Sequence, residues 1–120
     1  MPTFSICPRD WSAELPIATA VDAIRQAFPS AVVSFERGQE RALAVLQRLR
    51  ELNAPENVQA VYVDGASQAV MIALPISEAN GSLEFMLMPG EGIHLSSTIA
   101  DVTIADKLAR ALGYEYEEIG

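Results

Sequence analysis

Between Glu51 and Asp106 this chain contains neither lysine nor arginine. Over all 120 residues, eight basic side chains face sixteen acidic ones, for a net charge of −8. Scarce, unclustered cations argue against nucleic acid, because phosphate binding depends on grouped Lys and Arg that release counterions. The same balance disfavours an anionic membrane surface. Cys7 is the only cysteine, so no internal disulfide can form, and a reducing, cytoplasmic setting is expected. The chain also lacks a long hydrophobic run. Its longest stretch without a charge, residues 65–77, is 13 residues and contains Pro75, whereas a membrane-spanning helix needs about 20. The opening Met1-Pro2-Thr3-Phe4 has no basic and apolar leader pattern. Asn80-Gly81-Ser82 matches a glycosylation acceptor but reads here as a turn. His94 is the only histidine, and nothing around it has metal-ligand spacing. No metal and no cofactor is expected.

What the sequence does contain is apolar periodicity, with 50% of its residues hydrophobic. Ile17, Val21, Ile24 and Phe28 recur at helical spacing between Pro16 and Pro29, which predicts a helix over about 15–28. Ala42, Leu43, Val45, Leu46, Leu49 and Leu52 form the apolar face of a second, about 39–52, with Arg37, Arg41 and Arg48 along one flank. Val102, Ile104, Ala105, Leu108, Ala111 and Leu112 mark a third, about 101–112, closed by Gly113. Residues 58–64 are rich in β-branched side chains and run into Asp64-Gly65, a strong tight-turn signal. Segments 68–74, 82–88 and 93–97 follow, separated by Asn80-Gly81 and by Pro89-Gly90-Glu91-Gly92. Together they read as a four-stranded antiparallel meander over 58–97. Residues 3–7 and 31–36 add shorter strands, and 114–119 alternates like a charged edge strand. The expected fold class is α+β: a mainly antiparallel sheet of four to six strands with three helices packed on it. A single domain spans 1–120.

The groups able to do chemistry are few. Cys7 and His94 could form a nucleophile–base dyad if their strands were neighbours. A small apolar cysteine before a turn and a solvated strand histidine are the simpler readings. Gly65-Ala66-Ser67-Gln68-Ala69 falls short of a nucleophile elbow, because it lacks the last glycine and joins two expected strands. Gly90-Glu91-Gly92 is no phosphate loop, having no lysine and a carboxylate at its centre. No catalytic residue is assigned, and the protein is not expected to be an enzyme.

The charge distribution carries the functional expectation. Residues 1–50 sum to +1, residues 51–106 to −8 and residues 107–120 to −1. In the strand Leu83-Glu84-Phe85-Met86-Leu87-Met88, one face is Leu/Phe while Met86 and Met88 share the other with Glu84. Methionines suit adaptable interfaces, and a one-signed field speeds association with a partner of opposite sign. The leading expectation is a non-catalytic acidic interaction module that binds a basic protein. Immunity proteins against secreted toxins and secretion chaperones are two classes of this size and charge. Its expected contact residues are Glu84, Met86, Met88 and Glu91, with Trp11 as an outlying anchor. A small-molecule-binding or enzymatic α+β domain, with a pocket near His94 or Cys7, is the first alternative. A structural homo-oligomer, such as a homodimer pairing its Met faces across a two-fold axis, is the second.

Overall fold

The computed structural model describes residues 3–76, 81–96 and 102–119. Along the chain run β1 (Thr3–Cys7), α1 (Ile17–Ala27), β2 (Val32–Ser34), α2 (Phe35–Glu51) and α3 (Glu56–Gly65). They are followed by β3 (Val70–Ile76), β4 (Gly81–Leu87), β5 (Ile93–Ser96), α4 (Val102–Leu112) and β6 (Glu115–Glu118). Helix α1 buries Ile17, Ala20, Val21 and Ile24, and α4 buries Ala105, Leu108, Ala109 and Leu112. Both sets follow the i, i+3, i+4, i+7 spacing that lines up one face of a helix. Pro16 precedes α1, where a missing N–H costs nothing. Gly113, at φ +71°, ends α4, and the Tyr114 N–H reaches back to the Ala109 carbonyl at 2.8 Å.

The strands form two three-stranded antiparallel sheets, ordered β5-β1-β6 and β2-β3-β4. In the second sheet Val70, Ile72 and Leu74 lie opposite Leu87, Phe85 and Leu83. Because facing residues share a side of the sheet, this side joins Phe4, Ile6, Ile93 and Leu95 of the first sheet in one core beneath α1 and α4. A smaller core lies on the opposite side of β2-β3-β4. There α2 and α3 cover Ala42, Leu46, Tyr62, Ala66, Ala69 and Met88. Gly38 sets how closely α2 lies on β3: a Cβ at this position would overlap the backbone of Val70.

The α+β class agrees with the sequence, but the sheet does not match the expected meander. Residues 58–64 are helical, so among the described residues the elements are four α-helices and two sheets, not three helices on one. Pro55 initiates α3, and the buried Tyr62 and Gly65 face α2 and Met88, so packing overrides local β-propensity. Asp64-Gly65 ends that helix instead of turning a hairpin. The second helix begins earlier than expected, at Phe35, because the Ser34 hydroxyl accepts the Arg37 N–H at 3.2 Å and caps it. β5 pairs with β1 instead of β4. Gly90 and Gly92, at φ +79° and +73°, turn the chain between the sheets. The charged edge strand at the C-terminal end is present, with all four residues of β6 exposed. Glu78, Asn80 and Asp101 lie outside the described residues.

Candidate functional site

On α2, Arg37, Arg41 and Val45 are spaced by four residues and so lie along one stripe of the helix. That stripe borders a half-open cleft of about 410 Å³. Tyr62 of α3 closes one side. The floor comes from β3 and β4, with Met71 and Met86 facing each other and Glu84 beside them, while the intervening Phe85 borders the cleft but sends its side chain into the core on the other side of the sheet. Glu91, in the turn after β4, and His94, on β5, complete the wall. The cleft therefore opens where the two sheets part.

Its charged groups are largely held by one another. Both Arg37 guanidinium nitrogens donate to Glu84, Nη1 to Oε1 and Nη2 to Oε2, each at 3.1 Å. This is the two-pronged geometry that makes arginine selective for carboxylates. The Tyr62 hydroxyl donates to Glu91 Oε1 at 2.7 Å. Burial, then the hydrogen bond to Glu91, then the Glu91 charge push the Tyr62 phenol well above its usual range, with Arg41 pulling slightly the other way. Tyr62 is thus a fixed neutral donor. The loop carrying Glu91 is pinned from outside, because Glu14 Oε2 accepts the Gly90 N–H at 2.8 Å. Gly92 is close-packed as well: a Cβ there would fall 2.7 Å from Cys7 Sγ and 3.0 Å from the Ile6 carbonyl oxygen. Among the described residues Arg41 makes no ion pair, and His94 is exposed without a hydrogen-bond partner.

No protein-family model, curated protein or solved structure matches this chain.

Of the residues singled out from sequence, Glu84, Met86 and Glu91 come together in the cleft. Met88 does not. At 1% exposure it is packed beneath α2 and α3, so the chain's own helices cover this part of the methionine face. Trp11 is half exposed on a short 3-10 turn, close to Gly92, and does not line the cleft. Arg37, Arg41 and Tyr62 were not anticipated as site residues. The shared flank of Arg37 and Arg41 was visible as helical spacing, but which sheet face that flank would meet was not.

The expected bare anionic surface also takes a different form. Glu84 is paired with Arg37, Glu51 with Arg48 at 3.5 Å and Asp106 with Arg110 at 2.9 Å. The cation-free segment is thus partly neutralised by the helices that flank it in sequence. Cys7 and His94 do lie on paired strands, with His94 opposite Ser5 and Cys7 two residues further on the same face. Cys7 Sγ sits 3.5 Å from the Ser5 hydroxyl, and no hydrogen bond joins it to His94. Among the described residues no group of three or more His, Cys, Asp or Glu is arranged to hold a metal ion. No helix among them is long and apolar enough to cross a membrane.

Proposed function

We propose that this protein is a non-catalytic interaction module that docks a basic protein partner at the cleft between α2 and the β3–β4 hairpin. The observation that carries the reading is the convergence there of Glu84, Met86 and Glu91 with Arg37, Arg41, Tyr62 and His94, over an apolar floor. An apolar floor with a polar rim is the anatomy of recognition sites. The net charge of −8 acts at longer range, raising the encounter rate with a cationic surface. Non-catalytic fits the internal pairing: an Arg37–Glu84 fork and a phenol kept protonated suit shape and hydrogen-bond recognition more than proton transfer. We place the module in the cytoplasm as a single domain, where a free Cys7 is stable.

The test is capture of a partner from the native host by the wild-type chain and by Met86→Asp, at low and high salt. The reading expects a basic partner, captured less at high salt and lost in the variant. A partner retained equally by Met86→Asp, or capture indifferent to salt, overturns it. A second reading, a small-molecule site, is favoured by the cleft volume of about 410 Å³, which falls in the range of small-ligand pockets, roughly 300–1,000 Å³. It predicts a thermal shift with a small ligand and no protein partner.

A further inference from the structure

Two opposite charges line the cleft without neutralising each other. Arg37 and Glu84 are satisfied by their shared fork. Arg41, one helical turn further along α2, makes no ion pair among the described residues. Glu91, in the turn after β4, makes none either. Its Oε1 accepts the Tyr62 hydroxyl at 2.7 Å, but a neutral donor leaves the carboxylate charge uncompensated. Its Oε2 has no hydrogen-bond partner among the described residues. Both charges act on the same phenol, Glu91 pushing its pKa up and Arg41 pulling it down. A cation and an anion therefore flank Tyr62 at short range, yet too far apart to pair. Beside them lie Met71 and Met86, directly opposite each other on β3 and β4.

We infer that the cleft binds a free α-amino acid with an apolar side chain. Its carboxylate meets Arg41, its ammonium meets Glu91 Oε2, and its side chain seats on Met71 and Met86. This rests on the second reading, a small-molecule site, and goes beyond it by naming the ligand. The charges narrow the occupant to this class. A cation and an anion on two sides of one hydroxyl match a molecule that carries both charges on one carbon. A phosphate would be repelled by Glu84 and Glu91, and a polyamine by Arg41. A peptide keeps only one charge at each end, so neither end satisfies both groups. The planar fork of arginine matches a carboxylate with two parallel hydrogen bonds. The methionines adapt to an aliphatic side chain, and a cleft of about 410 Å³ admits a molecule of this size. Tyr62 is a positioning residue: it holds Glu91 by Oε1 and leaves Oε2 available. Because Arg41 is exposed, water screens the contacts and the affinity is modest. The ligand takes the floor on which a partner would seat, so the two occupants exclude each other.

The experiment titrates the full chain with L-leucine, N-acetyl-L-leucine, L-leucinamide and glycine, using backbone amide NMR shifts to locate the site. N-acetyl-leucine keeps only the negative charge and leucinamide only the positive one. Glycine keeps both but lacks the side chain. Leucine should bind with shifts around Arg41, Met71, Met86 and Glu91, about tenfold more tightly than each of the other three. Arg41→Gln should lower leucine affinity to that of leucinamide without weakening leucinamide. Glu91→Gln keeps an acceptor for Tyr62 and should lower leucine affinity to that of N-acetyl-leucine without weakening N-acetyl-leucine. A merely structural role for either residue would weaken every ligand alike. The inference is overturned if leucine binds no more tightly than the single-charge analogues, if nothing binds up to millimolar concentration, or if the preference for leucine survives both substitutions. Its failure is separable from failure of the small-molecule reading. If leucine does not bind but another small molecule from a thermal-shift screen moves the Met71 and Met86 amides, the cleft is a ligand site and the amino-acid assignment is wrong. If no small molecule binds, both fall.

Discussion

The core beneath α1 and α4 and the core beneath α2 and α3 are built to different standards. The first joins residues from both sheets and from two helices that lie against each other, with Ile6, Ile24, Ile72, Ile93 and Leu108 fully buried. The second is smaller, rests on β2-β3-β4 alone, and relies on small residues such as Ala42, Ala66 and Ala69. Buried aliphatic side chains each contribute about 1.5–3 kcal/mol through removal from water, so the first core dominates stability. The second keeps α2 close enough to the sheet to form a cleft but leaves that cleft partly open. Strength has been concentrated on one side of the sheet and access left on the other.

The largest effect that can challenge this contrast is loss of a buried isoleucine. Ile24→Ala should cost about 4 kcal/mol, while Leu46→Ala, in the smaller core, should cost about 2 kcal/mol. Urea denaturation measures both, and equal costs would erase the distinction. Hydrogen exchange sharpens it: amides of α2 and α3 should exchange through partial opening, and those of β1 and β3 only through global unfolding. Gly38→Ala comes next. The added methyl collides with Val70 backbone, which cannot rotate away as a side chain could. A loss of about 3 kcal/mol is expected despite the better helix propensity of alanine. Because the same helix carries Arg37 and Arg41, the cleft should widen, which amide shifts of Met71 and Met86 would report.

Tyr62→Phe is smaller. Deleting the hydroxyl that donates to Glu91 should cost about 1 kcal/mol near neutral pH. The variant also tests a pH dependence. The Tyr62 and Tyr114 phenols are raised in the folded state above the ordinary value of 10.0. The unfolded chain therefore ionises first. Their contribution is fully present below that value and is lost as the pH rises above it. Alkaline unfolding should begin above the ordinary tyrosine range, and Tyr62→Phe should flatten it. The smallest effect is Arg37→Met, about 0.5 kcal/mol, because the ion pair with Glu84 is substantially exposed. A stability loss several times larger would mean that the fork holds α2 on the sheet and does not merely order the cleft.

Some of this arrangement was legible beforehand. Helices α1 and α4 each bury one continuous stripe, so their spacing identifies them in isolation. β6 is legible for a related reason: Glu115, Glu117 and Glu118 suit an edge that must not pair further. Helix α3 was not legible, because Val58, Val61, Tyr62 and Val63 satisfy a strand as well as a helix over so short a run. The site was half legible. Glu84 and Met86 alternate on a recognisable strand face, but Arg37 lies 47 residues from Glu84 and no local pattern links them.

The order of residues by itself determined the α+β class, the buried stripes of α1 and α4 and the uneven charge, since each follows from side-chain chemistry at short range. On α2 the expected face holds only in part, Leu43 and Leu52 being exposed. Only the tertiary structure decided that β5 would leave β4 for β1, that Met88 would be covered while Met86 stayed half open, and that Arg37 from α2 would meet the carboxylate of Glu84. Those outcomes turn on how two glycines redirect the chain after β4 and on how closely Gly38 lets a helix approach β3. Such contacts join residues distant in sequence, and their energies exist only once the chain has closed on itself.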